Sequence, residues 1–547
     1  MSKKLSLLIS PLFISCLLLG CSKQIPEVYK HKDNTDPITI YGKEIKLSFT
    51  TEQYDKDVEF IEGLLASIKE GKDSYQEISK KIKKYYEISN KAESEYHKAT
   101  LLADMTVKDE DIVLADTIYA ATVKFTSYIT KIVLAIYESN YKNDYFKGMS
   151  EQEIEDYMKG FDETTSDAIS EAKTRLNNIR TQYFTDELDV YEAVRQYVST
   201  GNQIAAVSGY DNYMEYQYEK EYFRQYTPSD TANLIDYVRE YIYPIHLETY
   251  TYFTEEANKL NDKELKRYYE ILYGCFTHEL DLFGKYAKDL GGQYYSNFNY
   301  LFNSGNYFMS EVVNANTTAY NWDIDGEPFV FFGGSYQDVC TLAHEFGHYN
   351  AAVLGSSAGV SYDLCEVHSQ GSEAMFYNYL RNNAKDNKKA FDILFANRID
   401  SLLSNVYTGV MINELELQLY SAENIATMSN DDITKIVADI LSYIRKGEAG
   451  ISTNIEAILD ILLVSPIYYI SYSTSAVASL ELMAAAYNDY NTAKGMYKKI
   501  YANYSNNDKI NDFQDVMNYA GLSNVFEEQA HQNIHTFVDS FLKSIKQ

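Results

Sequence analysis

Proline is scarce in this chain, 7 among 547 residues. Little therefore interrupts a helix, and long stretches mix Glu, Lys, Ala, Leu, Ile and Tyr, so a mostly α-helical protein is expected. Cysteine is nearly as rare, 5 in all. Two of these sit at the N-terminus, and Cys275, Cys340 and Cys365 remain, too few for a disulfide framework. Cys340 and Cys365 read as small buried apolar residues rather than metal ligands. Basic residues are outnumbered, 49 Lys and Arg against 79 Asp and Glu, for a net charge of −30. That balance excludes nucleic acid as a partner, because phosphate binding needs a basic footprint. It suits solubility and mildly favours cationic substrates. No fixed-period repeat is present, which argues against a solenoid. Beyond the N-terminus no stretch is long and apolar enough to span a membrane.

What the chain does have starts with length enough for two or three domains and a globular hydrophobic content of 45%. Its 53 tyrosines are expected to be mostly half-buried packing residues. Met1-Ser2-Lys3-Lys4 is a basic opening, followed by a largely apolar run from Leu5 to Leu19. With Leu18-Leu19-Gly20-Cys21 at its end, this reads as a secretory signal whose last residues resemble a bacterial lipobox. Cleavage before Cys21 and lipid attachment to its thiol are expected, an uncleaved anchor helix being the alternative. Residues 1–20 are then the signal and 21–38 a polar tether. Residues 39–200 read as an N-terminal helical domain of amphipathic segments, among them VEFIEGLLASIKEGKD and DIVLADTIYAATVKFTSYITKIVLAIYES. A Ser-, Gly- and Asn-richer stretch at 199–212 is a plausible seam before a second domain, 201–547.

Within that second part lies TLAHEFGHYN. His344 and His348 stand four apart, so on a helix they share one face and reach one cation. Neutral imidazole is a good zinc ligand, and Glu345 between them is placed to take a proton from a water. The bland alternative is two surface histidines with a solvated glutamate. Upstream, Phe329-Val330-Phe331-Phe332 reads as a strand bounded by Gly326, Pro328 and Gly333-Gly334. Downstream, Glu366 and Glu373 are seven apart on one expected helix and face the same way. One of them would ligate and the other orient a ligand; spacing leaves the choice open, with His368 a third candidate. His531 and His535 also stand at i and i+4, on a C-terminal amphipathic helix, and read as a partly exposed helix face.

The runs PFVFFGGSYQDVCTLAHEFGH and EVHSQGSE resemble the thimet oligopeptidase and oligoendopeptidase F family of zinc metallopeptidases. The resemblance implies His344, His348 and Glu366 as the ligands of one zinc ion, Glu345 as general base, Glu373 as outer companion, and His368 as structural. Near the C-terminus, Ile467-Tyr468-Tyr469-Ile470-Ser471-Tyr472 resembles the family's tyrosine segment, whose phenols donate to the tetrahedral oxyanion. Tyr472 fits that role best, Tyr468 next, and Tyr469 is off register. Two family histidines are missing, at Ala351 and at Val464-Ser465-Pro466.

The family likeness further implies two helical lobes flanking a deep channel, with a small sheet beside the zinc helix. Such a channel admits unfolded oligopeptides, so the expected activity is a monomeric zinc endopeptidase, lipid-anchored on the outer face of a bacterial cell membrane. The alternative is a peptide-binding lipoprotein that keeps the fold without turnover.

Overall fold

A computed structural model of the chain describes residues 39–40, 43–44, 46–106, 108–158, 163–273, 280–309, 319–332, 339–384, 388–447 and 454–546. The signal, the whole tether with Cys21, Cys275 and Gly333-Gly334 lie outside the described residues.

The molecule is mostly α-helical with a small sheet. The first three helices are α1 (Thr51–Glu70), α2 (Tyr75–Thr106) and α3 (Asp109–Tyr137). Local chemistry fixes their ends. The Thr50 side chain accepts from Gln53 N at the start of α1, and Gly71, left-handed at φ 64°, closes it. Ile61, Leu64, Leu65 and Ile68 recur at helical spacing and bury one face of α1 against α2 and α3, forming a core of their own. After two short helices, Lys142–Tyr145 and Glu151–Met158, come α4 (Glu163–Phe184) and α5 (Val190–Ser208). Helix α5, capped by Asp189, runs without a break through Ser199, and the seam expected at 199–212 falls on its last turns. A second, larger core takes in residues from Ala172 to Leu542.

The sheet has three strands, β1 (Tyr307–Met309), β2 (Tyr320–Ile324) and β3 (Glu327–Phe332). β3 is central, parallel to β1 and antiparallel to β2. Asp325 and Gly326, both at positive φ, make the two-residue turn between β2 and β3. Because β3 is covered on both faces, its end is one continuous apolar run, Phe329 to Phe332, all fully buried. β3 packs directly on α6 (Val339–Val353), the helix that carries HEFGH.

Helix α6 lies on α7 (Tyr362–Asn382), and α7 in turn packs on the helix Tyr469–Asn488. The connecting elements are α8 (Lys388–Tyr420), α9 (Ile455–Val464), α10 (Tyr469–Asn488) and α11 (Tyr490–Ala502). α7 and α10 are buried on nearly every face, polar residues included, which marks them as the centre of the large core. Two glycines permit that closeness. A Cβ on Gly347 would meet His368 O at 2.5 Å and Ser369 Cα at 2.6 Å; one on Gly409 would meet Tyr469 O at 2.5 Å. Among the described residues no single helix is long and apolar enough to cross a membrane.

Candidate metal centre

α6 brings His344, Glu345 and His348 to its α7-facing side, and α7 answers with Glu366. His344 Nε2 lies 3.2 Å from His348 Nε2. Glu366 Oε2 stands 3.5 Å from the first and 3.8 Å from the second. A tetrahedral ion with bonds of about 2.0–2.1 Å needs donor atoms about 3.3–3.4 Å apart. The triangle has that size. Among the described residues it is the one group of three or more His, Cys, Asp or Glu arranged to hold a metal ion.

Two of the three donor residues are held from behind. Ser369 Oγ donates to Glu366 Oε2 at 3.2 Å, and the Tyr468 hydroxyl donates to Glu366 Oε1. His344 Nδ1 lies 2.7 Å from Glu373 Oε1, so a proton there leaves Nε2 with a free lone pair turned into the triangle. The other Glu373 oxygen takes Arg398 Nη1 at 2.7 Å and the Cys340 thiol at 2.7 Å. Cys340 is therefore half-buried and hydrogen-bonded, not the buried apolar residue expected, because the outer carboxylate needs its second oxygen satisfied. Cys365 is half-buried as well, with its thiol pushed up to about 12 by burial.

The same contacts set the charges. Burial works to lower the His344 pKa, but the hydrogen bond and charge of Glu373, with Glu366 and Glu345 behind it, raise it to about 9. Burial also raises Glu373, yet Arg398 and His344 outweigh it and keep that carboxylate ionised. His348 is driven well below its usual value by burial and by the neighbouring His344 cation. Glu345 is buried at 4% exposure, and its Oε2 has no hydrogen-bond partner. Burial pushes its pKa up to about 8. A divalent cation in the triangle would draw it back down.

Tyr468 and Tyr472 meet edge to face with ring centres 5.1 Å apart, and Tyr469 packs on Tyr472 at 5.4 Å. It is Tyr468 whose hydroxyl reaches a metal-site carboxylate. His368 is fully buried, with its pKa lowered to about 3 by burial. His531 and His535 do not form an exposed pair: His531 is buried and bonded to Val525 O, while His535 packs on Tyr241. Ala351, where a family histidine is missing, is fully buried.

Arg398 was not legible in the sequence, since no fixed spacing connects it to the motif. A turn-spacing search upstream of Glu366 would have found Asp363, which sits one turn earlier on α7 and is also fully buried.

No family model matches the chain, and no curated protein matches it in sequence. Its fold does have relatives among solved structures. It superposes on PZ peptidase A, solved with an inhibitor, at a TM-score of 0.63 and 14% identity, covering 91% of this chain and 99% of that one. A protein assigned as oligoendopeptidase F gives 0.68 at 14% identity, covering 92% and 99%. Oligoendopeptidase F from Enterococcus faecium gives 0.56 at 13%, covering 91% and 99%. The fold is thus that of these peptidases over nearly the whole of their length.

Proposed function

We propose that the protein is a zinc-dependent endopeptidase of the oligoendopeptidase F type, acting on unfolded oligopeptides. The observation that carries this reading is the triangle of His344 Nε2, His348 Nε2 and Glu366 Oε2, with the buried Glu345, its Oε2 without a hydrogen-bond partner, beside it. The likeness in fold to peptidases supports it. His344, His348 and Glu366 fit one zinc ion by donor type and separation. Bound there, the ion would supply Lewis acidity towards a water and the scissile carbonyl.

The remaining work falls to the chain. Glu373 fixes the His344 tautomer by accepting a hydrogen bond from Nδ1–H, and Arg398 and Cys340 keep that carboxylate in place. Glu345 takes the proton of the attacking water and returns it to the leaving amine. The Tyr472 phenol, and the Tyr468 phenol once its proton turns away from Glu366 Oε1, supply proton donors for the oxyanion, because a phenol keeps its proton at working pH. The buried setting of Tyr468 holds its pKa well above the usual value, through burial first and the Glu366 charge second. The lipobox-like Leu18-Leu19-Gly20-Cys21 places this activity outside the cytoplasm, on a lipid anchor at Cys21, in our reading.

The test is metal content and cleavage of a library of quenched-fluorescent peptides by wild type and Glu345→Gln. Wild type should hold one zinc and cleave; Glu345→Gln should hold one zinc and lose about 10²–10⁴-fold in kcat. If both bind zinc and neither cleaves, the peptide-binding alternative replaces this reading.

A further inference from the structure

Ile467, the residue before Tyr468, has a left-handed backbone, φ 61°. A β-branched side chain seldom sits there, so something must hold it. Both of its backbone polar groups are taken by buried polar side chains. Its N–H donates to Glu416 Oε1 at 2.5 Å, and its carbonyl accepts from Arg224 Nη2 at 3.0 Å. The preceding carbonyl, Pro466 O, accepts from the Tyr222 hydroxyl at 2.6 Å.

Arg224 then ties this turn to α7. Its Nε donates to Asp363 Oδ2 at 3.1 Å, both side chains wholly buried, and its Nη2 also reaches Ser471 Oγ at 2.8 Å. The guanidinium lies 4.3 Å from the Tyr218 ring centre and 4.4 Å from that of Tyr222. Asp363 Oδ1 accepts from the Tyr226 hydroxyl at 2.7 Å and from Thr474 Oγ1 at 2.5 Å. Asp363 and Glu366 are one turn apart on the same helix, and Tyr468 reaches back to Glu366. The contacts therefore close a ring: Asp363 to Arg224, Arg224 to Ile467, Ile467 to Tyr468, Tyr468 to Glu366, and Glu366 along α7 to Asp363.

Buried ion pairs of this kind add little stability over apolar packing, so their cost calls for another role. We propose that Arg224, with Asp363 and Glu416, is a brace that sets the Tyr468 hydroxyl against Glu366, making these three positioning residues for the peptidase reaction. The inference rests on the peptidase reading. A planar guanidinium suits the task because it serves Asp363, Ile467 O and Ser471 at fixed angles, which an ammonium cannot do. Glu416 acts as a neutral acid, since burial pushes its pKa up to about 8.

The experiment is a double-mutant cycle on the zinc-loaded protein, with kcat, KM, zinc content and melting temperature measured for each form. Arg224→Met should lower kcat about 10–100-fold with KM within about twofold and zinc retained. Arg224→Lys should not restore kcat. In a Tyr468→Phe background the further loss on Arg224→Met should shrink to about threefold or less, because the brace acts through that hydroxyl. If Arg224→Met does not fold, Tyr222→Phe, which deletes only the hydroxyl on Pro466 O, runs the same cycle and should show the same non-additivity. Losses that multiply in the double variant, or that fall wholly on KM or zinc, would overturn the brace while leaving the peptidase reading intact. A wild type that cleaves no peptide would remove the peptidase reading and this role with it.

Discussion

Glu373 shows how much one residue outside the donor triangle decides. It touches His344 on one oxygen and Arg398 and Cys340 on the other, so its charge is held and its direction fixed. Glu366→Ala should therefore abolish zinc retention on dialysis, whereas Glu373→Ala should retain zinc at about 10–100-fold weaker affinity. Equal retention by Glu366→Ala and wild type would remove Glu366 from the ligand set. His344 supplies a second expectation. Its pKa without metal, about 9, lies above its ordinary 6.5. Its contribution to stability is thus complete below pH 6.5 and disappears as pH rises through 9. Glu345, raised to about 8, works in the same direction, since its buried carboxylate ionises at a cost as pH climbs. Chelator-treated protein should lose several kcal/mol of stability between pH 6 and 9. The zinc form should lose less, because the ion replaces the His344 proton. Parallel melting curves with and without zinc across that range would contradict the assignment. Both histidines, Glu345 and the two carboxylates were legible because each set lies on one helix, where spacing fixes direction. Arg398 and Arg224 were not, because they arrive from other parts of the chain and leave no periodic mark.

Between elements, the decisive contact is the crossing of α6 on α7. Two of the candidate donors come from one helix and the third from the other, so the separation of the axes sets the size of the donor triangle. Gly347, inside HEFGH itself, allows the approach: a side chain there would run into the backbone of His368 and Ser369. Backbone cannot move aside as a flexible side chain does. Gly347→Ala should therefore destabilise the protein by about 1–3 kcal/mol and weaken zinc binding, although it removes no ligand and improves helix propensity. A variant that melts and binds zinc as wild type does would show that the crossing is not tight. The strand before the motif was legible for a similar local reason. Phe329 to Phe332 is a continuous apolar run, and Asp325-Gly326 is a two-residue hairpin turn. The near-complete burial of α7 was not, since its serines, Gln370 and His368 give it the look of a half-exposed helix.

For the whole molecule, the charge of −30 and the N-terminal segment each yield an expectation that can be tested. If Cys21 carries the lipid, Cys21→Ser should move the protein from the membrane fraction to the soluble one while leaving kcat unchanged. Retention in the membrane would favour the uncleaved anchor helix. An acidic surface raises the local concentration of cationic peptides. Among peptides of equal length, kcat/KM should favour positive over negative ones at low salt, and the gap should close as ionic strength rises to about 0.5 M, where the screening length falls to a few ångströms.

By itself the sequence determined the helical class, the strand before the motif, the two histidines with the glutamate between them, and the two candidate carboxylates that follow. Each of these is set within one helix or one short run, where chain geometry alone assigns a direction. Resemblance to the family's tyrosine segment also singled out Tyr472, with Tyr468 next. The tertiary structure decided which of those phenols lies on Glu366, which carboxylate joins the histidines and which stands behind His344. It also decided that Cys340 and Arg398 support the site and that Arg224 reaches the turn before Tyr468. These are contacts between elements far apart in the chain, made by the packing of α6, α7, α8 and α10, and packing is a property of the whole core that no local spacing records.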